Sequence, residues 1–202
     1  MMRLLSWHDR SENTRLILVS PAETDFRRKG RLQGNVDIPL TQGGRMEVER
    51  WLDEVRPVAD HVAAVYAGGD QAARETAAIL ARLDCQRVRV LPQLSGVSFG
   101  LWEGQLATDI HNRHLKMYEQ WRRNACSITP PCGEDMEDAA KRASSAVRFI
   151  RKKHRKGSVI VVASECLRGL IWCVLNDEPA GRVFDVCRSL SPVEVAEYQG
   201  LS

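Results

Sequence analysis

The sequence predicts a three-layer α/β/α sandwich around a mostly parallel central sheet. Two observations carry that expectation. Short apolar runs recur along the chain: Leu16-Ile17-Leu18-Val19 before Pro21, residues 62–67 before Gly68-Gly69, and Val159-Ile160-Val161-Val162. Between them lie longer stretches whose apolar residues repeat at three- and four-residue spacing. Continuous apolar runs suit strands buried on both faces, and strands alternating with helical stripes suit a parallel sheet covered by helices.

In chain order, the first strand ends at Pro21, whose ring removes a backbone donor and fixes φ. A glycine-punctuated loop follows through Gly30-Arg31-Leu32-Gln33-Gly34 and Ile38-Pro39-Leu40-Thr41. Residues 43–55 carry a helical stripe through Val48, Trp51, Leu52 and Val55, which Pro57 stops. After the second strand, residues 72–83 repeat a helical face through Ala73, Thr76, Ala77, Leu80 and Leu83, and residues 88–91 form a short third strand. From Leu94 to Pro131 the period fails, so residues 104–131 are expected to form a small helical lid, with Trp102, Tyr118 and Trp121 packing it down. Residues 134–151 read as a long amphipathic helix with acids at its start and bases at its end, a polarity that complements the helix dipole. The basic run at 148–156 is accordingly read as a solvated helix end. A fourth strand at 158–163, a helix at 165–175 and closing strands within 183–198 complete the domain, with a turn at Ser191-Pro192.

Composition places the chain among soluble globular proteins. Its 202 residues are 44% hydrophobic and 27% charged, with a formal charge of +3. That is one domain, expected over residues 15–202 behind a loose extension at 1–14, and too little charge to argue for nucleic acid. No apolar run approaches the roughly 20 residues of a membrane span. Residues 1–14 include His8, Asp9, Arg10 and Glu12 and do not resemble a signal peptide. Six cysteines without a CxxC pair read as free thiols in the cytoplasm. No metal site or cofactor is implied.

Five segments in order resemble the histidine phosphatase (phosphoglycerate-mutase-like) superfamily. In that family the first strand ends in Arg-His-Gly-Glu-Thr and a loop carrying Arg-x-Gln-Gly follows. Here Glu23, Thr24, Arg31, Gln33 and Gly34 match. Arg74-Glu75-Thr76-Ala77, Phe99-Gly100-Leu101-Trp102-Glu103-Gly104, Gly133-Glu134 and residues 159–170 resemble the segments behind the second strand, into the lid, at the long helix and around the second histidine.

The resemblance implies a histidine that attacks phosphorus, two arginines and a second histidine that hold the phosphoryl oxygens, and a carboxylic acid that protonates the leaving oxygen. Carried over one by one, these roles fall on Pro21 for the nucleophile, Ser20 and Ala72 for the arginines, Ser164 for the second histidine and Gly96 for the acid. None of the five has the side chain its role requires. The sequence reading is therefore a catalytically inactive member of the family, a binding, scaffold or regulatory protein. The alternatives are a phosphatase or phosphoglycerate mutase using other residues, such as Cys166 or Ser164, and a sensor of anions or phosphometabolites. Candidate binding residues are Glu23, Thr24, Arg27, Arg31, Glu165 and Arg168. Expected partners are another protein or a second copy of the chain, with weak anion binding in the pocket; membrane and nucleic acid are not expected.

Overall fold

The computed structural model describes residues 14–59 and 61–197. Most of the expected extension at 1–14 and the tail from Tyr198 lie outside the described residues. Thr14 is the one described residue of that extension, and its hydroxyl donates to the His154 carbonyl at 2.6 Å.

Five strands form one sheet: β1 (Arg15–Val19), β2 (Val62–Ala67), β3 (Val88–Val90), β4 (Ser158–Val162) and β5 (Val193–Glu197), in the order β3-β2-β4-β1-β5. All neighbours are parallel except β5, which runs antiparallel to β1. Alternation inside the apolar runs explains why both faces are covered. Leu16, Leu18, Val159 and Val161 point into one core, and Ile17, Val19, Ile160 and Val162 into the other. This is the mixed α/β architecture with a mostly parallel sheet that the sequence leads one to expect.

The second of these cores lies under α2 (Gln42–Val55) and α3 (Gln71–Leu80). Thr41 caps α2 and Asp70 caps α3, each accepting a backbone N–H within the first turn. Gly44, in the first turn of α2, has no room for a side chain: a Cβ there would lie 2.4 Å from the Glu23 carbonyl oxygen. A short helix, α1 (Asp25–Arg28), precedes them.

The other core lies under α6 (Met136–Lys153), α7 (Glu165–Leu175) and α8 (Val183–Ser189). The long helix starts two residues later than expected because the Asp135 side chain accepts from the N–H groups of Glu137 and Asp138 and so defines the cap.

Two segments differ from expectation. Residues 183–189 form a helix rather than a closing strand, because Val183, Phe184, Val186 and Cys187 repeat at helical spacing and are buried, Phe184 against Trp121. The segment expected as a lid holds α4 (Ala107–Arg113) and α5 (Leu115–Arg123), separated at His114. Ile110, Trp121 and Ala125 are buried in the main core, so the segment completes the domain instead of only covering it. No helix among the described residues is long and apolar enough to cross a membrane.

Candidate active site

The carboxyl ends of the parallel strands β1, β2 and β4 open on one edge of the sheet, which is where ligands bind in open α/β sheets. The loops after Val19, Ala67, Leu94 and Ala163 converge there around a cavity of about 220 Å³. That is many times the roughly 10–15 Å³ that admits one water molecule. Pro21, Thr24, Arg27 and Arg31 line it from the first loop, Asp70 from the second, Val97 and Phe99 from the third, and Ser164, Glu165 and Cys166 from the fourth; Trp121, Arg122, Phe184, Cys187 and Arg188 close it.

Local chemistry holds the first loop in shape. Thr24 caps α1 by accepting from the Arg27 N–H at 3.2 Å and donates its hydroxyl to Gln33 Oε1 at 2.6 Å. Arg27 donates to the Pro21 carbonyl at 3.1 Å and stands 3.8 Å from the Glu165 carboxylate. Both side chains of that pair are about half exposed, so water screens it. Arg31 donates to the Gly104 carbonyl. Four arginines (Arg27, Arg31, Arg122 and Arg188) line the cavity against two carboxyls, Asp70 and Glu165, which leaves it cationic.

Asp70 is the unusual group. One carboxylate oxygen accepts the Ala73 N–H at 2.9 Å, while Oδ2 is buried without a hydrogen-bond partner. Burial raises its pKa above the ordinary carboxylate value; the α3 backbone N–H pulls the other way but does not prevail. The Ser164 hydroxyl, at the start of α7, is likewise buried without a partner.

The thiols are poor nucleophiles. Cys166 is buried with Sγ 3.8 Å from Met136 Sδ, and burial, followed by its neighbour Cys187, pushes its pKa well above the usual range. Cys187 donates to the Glu165 carbonyl at 3.2 Å and is pushed up to about 12, chiefly by burial. The thiolate is the reactive form, so neither thiol attacks readily.

Of the residues singled out in the sequence, Pro21, Thr24, Arg27, Arg31, Ser164 and Glu165 reach the cavity. Glu23, Ser20, Ala72, Gly96 and Arg168 do not line it. Glu23 accepts from the Thr41 hydroxyl at 2.7 Å and ties the loop to α2. Ala72, in the first turn of α3, is fully buried in the core beneath that helix. A Cβ at Gly96 would lie 2.4 Å from the Gly34 carbonyl oxygen, so the backbone there excludes any side chain. Arg168, 2% exposed, donates to the carbonyls of Ser191 and Pro192 and fastens α7 to the turn before β5. His61, His111, His114 and His154 all lie away from the cavity.

Sequence reasoning missed Asp70, Arg122, Phe184 and Arg188. Asp70 had a signal, an aspartate after Gly68-Gly69 at the head of a helical stripe. The other three depend on how α5 and α8 pack. Among the described residues no group of three His, Cys, Asp or Glu side chains is placed to hold a metal ion.

A three-layer α/β domain with a cationic cavity at the strand ends suits an anionic ligand. The histidine phosphatase superfamily (branch 1) profile matches residues 16–200, and the chain belongs to that family. The metal-independent phosphoserine phosphatase of Arabidopsis thaliana is 29% identical over 183 residues, covering 87% of this chain and 74% of that protein. Phosphoserine phosphatase 1 of Hydrogenobacter thermophilus is 22% identical over 161 residues, covering 80% and 75%. Among solved structures, Bacillus stearothermophilus YhfR superposes with a TM-score of 0.81 at 25% identity, covering 93% of this chain and 92% of that one.

These findings correct the expectation of an inactive binding, scaffold or regulatory protein: the Arabidopsis and Hydrogenobacter relatives are both named as phosphatases. That expectation rested on the side chains missing at five positions, the clamps and the acid as well as the nucleophile. Phosphoryl transfer passes through a loose transition state, so positioning and charge stabilisation carry most of the catalysis.

Proposed function

We propose that this chain is a phosphomonoester phosphatase acting through residues other than the family's histidines. The observation that carries the proposal is the convergence of four arginines and one buried, partly unpartnered carboxyl, Asp70, on a single cavity at the strand ends. The arginines supply the charge that a phosphoryl group needs, and the N-terminus of α7 adds its dipole. Asp70, with its raised pKa, serves as the acid that protonates the leaving oxygen. Water is the acceptor: its oxygen bonds to phosphorus as the ester P–O bond breaks, giving an alcohol and inorganic phosphate. The names of the relatives support the reaction class. The six free thiols support a reducing cytoplasmic location.

The test is release of inorganic phosphate from p-nitrophenyl phosphate, O-phosphoserine and 3-phosphoglycerate by purified protein. Turnover that co-purifies with the chain and falls about 100-fold in Asp70→Asn supports the proposal. Saturable binding of all three esters without phosphate release overturns it and leaves ligand recognition as the role of the cavity. Turnover untouched by Asp70→Asn removes Asp70 from the mechanism.

A further inference from the structure

Three sulfur-bearing side chains from three helices gather where the core under α6, α7 and α8 borders the cavity. Met136 opens α6, Cys166 lies in the first turn of α7, and Cys187 lies on α8. Cys166 Sγ stands 3.8 Å from Met136 Sδ. Cys187 Sγ lies 3.2 Å from the Glu165 carbonyl, part of the peptide group that leads into Cys166. Gly169 makes that approach possible, because a Cβ there would lie 2.5 Å from Cys187 Sγ. Both cysteines are 9% exposed and line the cavity, so an ion has a way in; Met136 is buried and does not line it.

Cysteine and methionine often serve only as soft apolar fillers. Here their chemistry goes further. Thiolate and thioether ligands are soft, and they suit copper(I) where hard ions such as magnesium and calcium take oxygen. At a metal–sulfur bond of roughly 2.3 Å, two sulfurs on one ion lie no more than about 4.6 Å apart. The 3.8 Å between Cys166 and Met136 falls within that span. The donor set is unlike a zinc centre, because among the described residues no three His, Cys, Asp or Glu side chains are placed to hold a metal ion.

We propose that Cys166, Cys187 and Met136 form a binding site for one copper(I) ion in the wall of the cavity. Each thiol gives its proton to water as its sulfur binds, so one ion exchanges for two protons and the complex carries one negative charge. Losing its proton also frees Cys187 from the Glu165 carbonyl. The cavity's four arginines outnumber its two carboxyls and favour that anionic complex. The site does not depend on the reading of the cavity as a phosphatase centre.

The experiment titrates copper(I) anaerobically into the full chain against the chromogenic chelator bicinchoninate. Its starting protein carries Cys85→Ser, Cys126→Ser and Cys132→Ser, which removes the thiols that are exposed or half-buried. We expect one copper(I) per chain, counted by mass spectrometry of the intact complex and not displaced by millimolar magnesium or calcium. Cys166→Ala and Cys187→Ala should each weaken binding about 100-fold and Met136→Leu, which keeps the volume, about tenfold. Thermal melts check that each variant is folded; if a cysteine variant does not fold, Met136→Leu decides alone. Absence of copper(I) uptake by the folded protein overturns the proposal. So does uptake that survives either cysteine substitution undiminished, or an affinity unchanged in Met136→Leu. Phosphate release is not the readout, so failure of the proposed reaction leaves this test intact.

Discussion

Two polar regions lie on neighbouring parts of the molecule and are built in opposite ways. Behind the loop after β3, Arg142 meets Glu134 with two nitrogens, at 2.6 and 2.8 Å, and donates to the carbonyls of Gln93, Ser95 and Gly96. Glu134 in turn accepts the Ser98 N–H at 3.4 Å. The guanidinium spends its donors on one carboxylate and three carbonyls. At the strand ends, by contrast, Asp70 Oδ2, the hydroxyls of Ser20 and Ser164, and Arg168 Nε are all buried without a partner. Among the described residues Arg168 has no carboxylate within salt-bridge distance, and burial lowers its pKa. A saturated network makes a frame. A region with spare donors and acceptors has hydrogen-bonding capacity left for a ligand, and leaving such groups unpaired costs stability. Of these unpartnered groups Asp70 and Ser164 line the cavity, whereas Arg168, like Arg142, serves as a tie between elements but a less completely paired one.

The largest effect should come from breaking the frame. Arg142→Met leaves Glu134 partly buried without its cation and three carbonyls without donors, and should cost about 3 kcal/mol in urea denaturation. A loss under 1 kcal/mol would mean that the network is ornamental and the contrast false.

Asp70→Asn is the mirror experiment. Asparagine caps a helix as well as aspartate does, so α3 keeps its first-turn hydrogen bond. Removing a desolvated charge should leave the melting temperature at pH 7 unchanged or raised, while phosphate release falls about 100-fold. The pH dependence gives a second reading. Asp70 has a folded pKa above its unfolded one, so its ionised form works against folding at neutral pH. As pH falls through the folded value toward 3.8, wild type should gain on the variant, and the two stability curves should draw together. Curves that stay parallel would show that the carboxyl is not desolvated.

Arg168→Met should cost less than Arg142→Met, about 1 kcal/mol. The Pro192 carbonyl still receives the Ser20 N–H at 3.0 Å, and the burial of an unpaired cation is relieved. Equal losses for the two methionine variants would erase the difference between the fully paired and the partly paired arginine.

The smallest effect belongs to the rim. A double-mutant cycle on Arg27→Ala and Glu165→Ala should give a coupling of about 0.5 kcal/mol or less, because both side chains are about half exposed. A coupling above 2 kcal/mol would place that pair inside the built site.

Much of the architecture could be read from the chain. Apolar runs stopped by Pro21 and by Gly68-Gly69 mark strands, and the stripe from Met136 to Ile150 marks the long helix, because burial on two faces or on one stripe leaves a period in the residues themselves. The frame of the first loop was legible in Glu23, Thr24, Arg31 and Gln33. The chemistry of the cavity was not. Matching Ser20, Pro21, Ala72, Gly96 and Ser164 to expected roles showed what those positions lack, but it could not show which distant residues stand in the same space. Asp70 acquires its raised pKa from burial, Arg168 is drawn away by the carbonyls of the turn before β5, and Phe184 reaches the cavity because residues 183–189 coil rather than extend. Local spacing determined the elements, since each element's period is a property of a few neighbouring residues. Desolvation, side-chain direction and the meeting of α5, α7 and α8 at one sheet edge depend on contacts between residues far apart in the chain, and only the tertiary structure decided them.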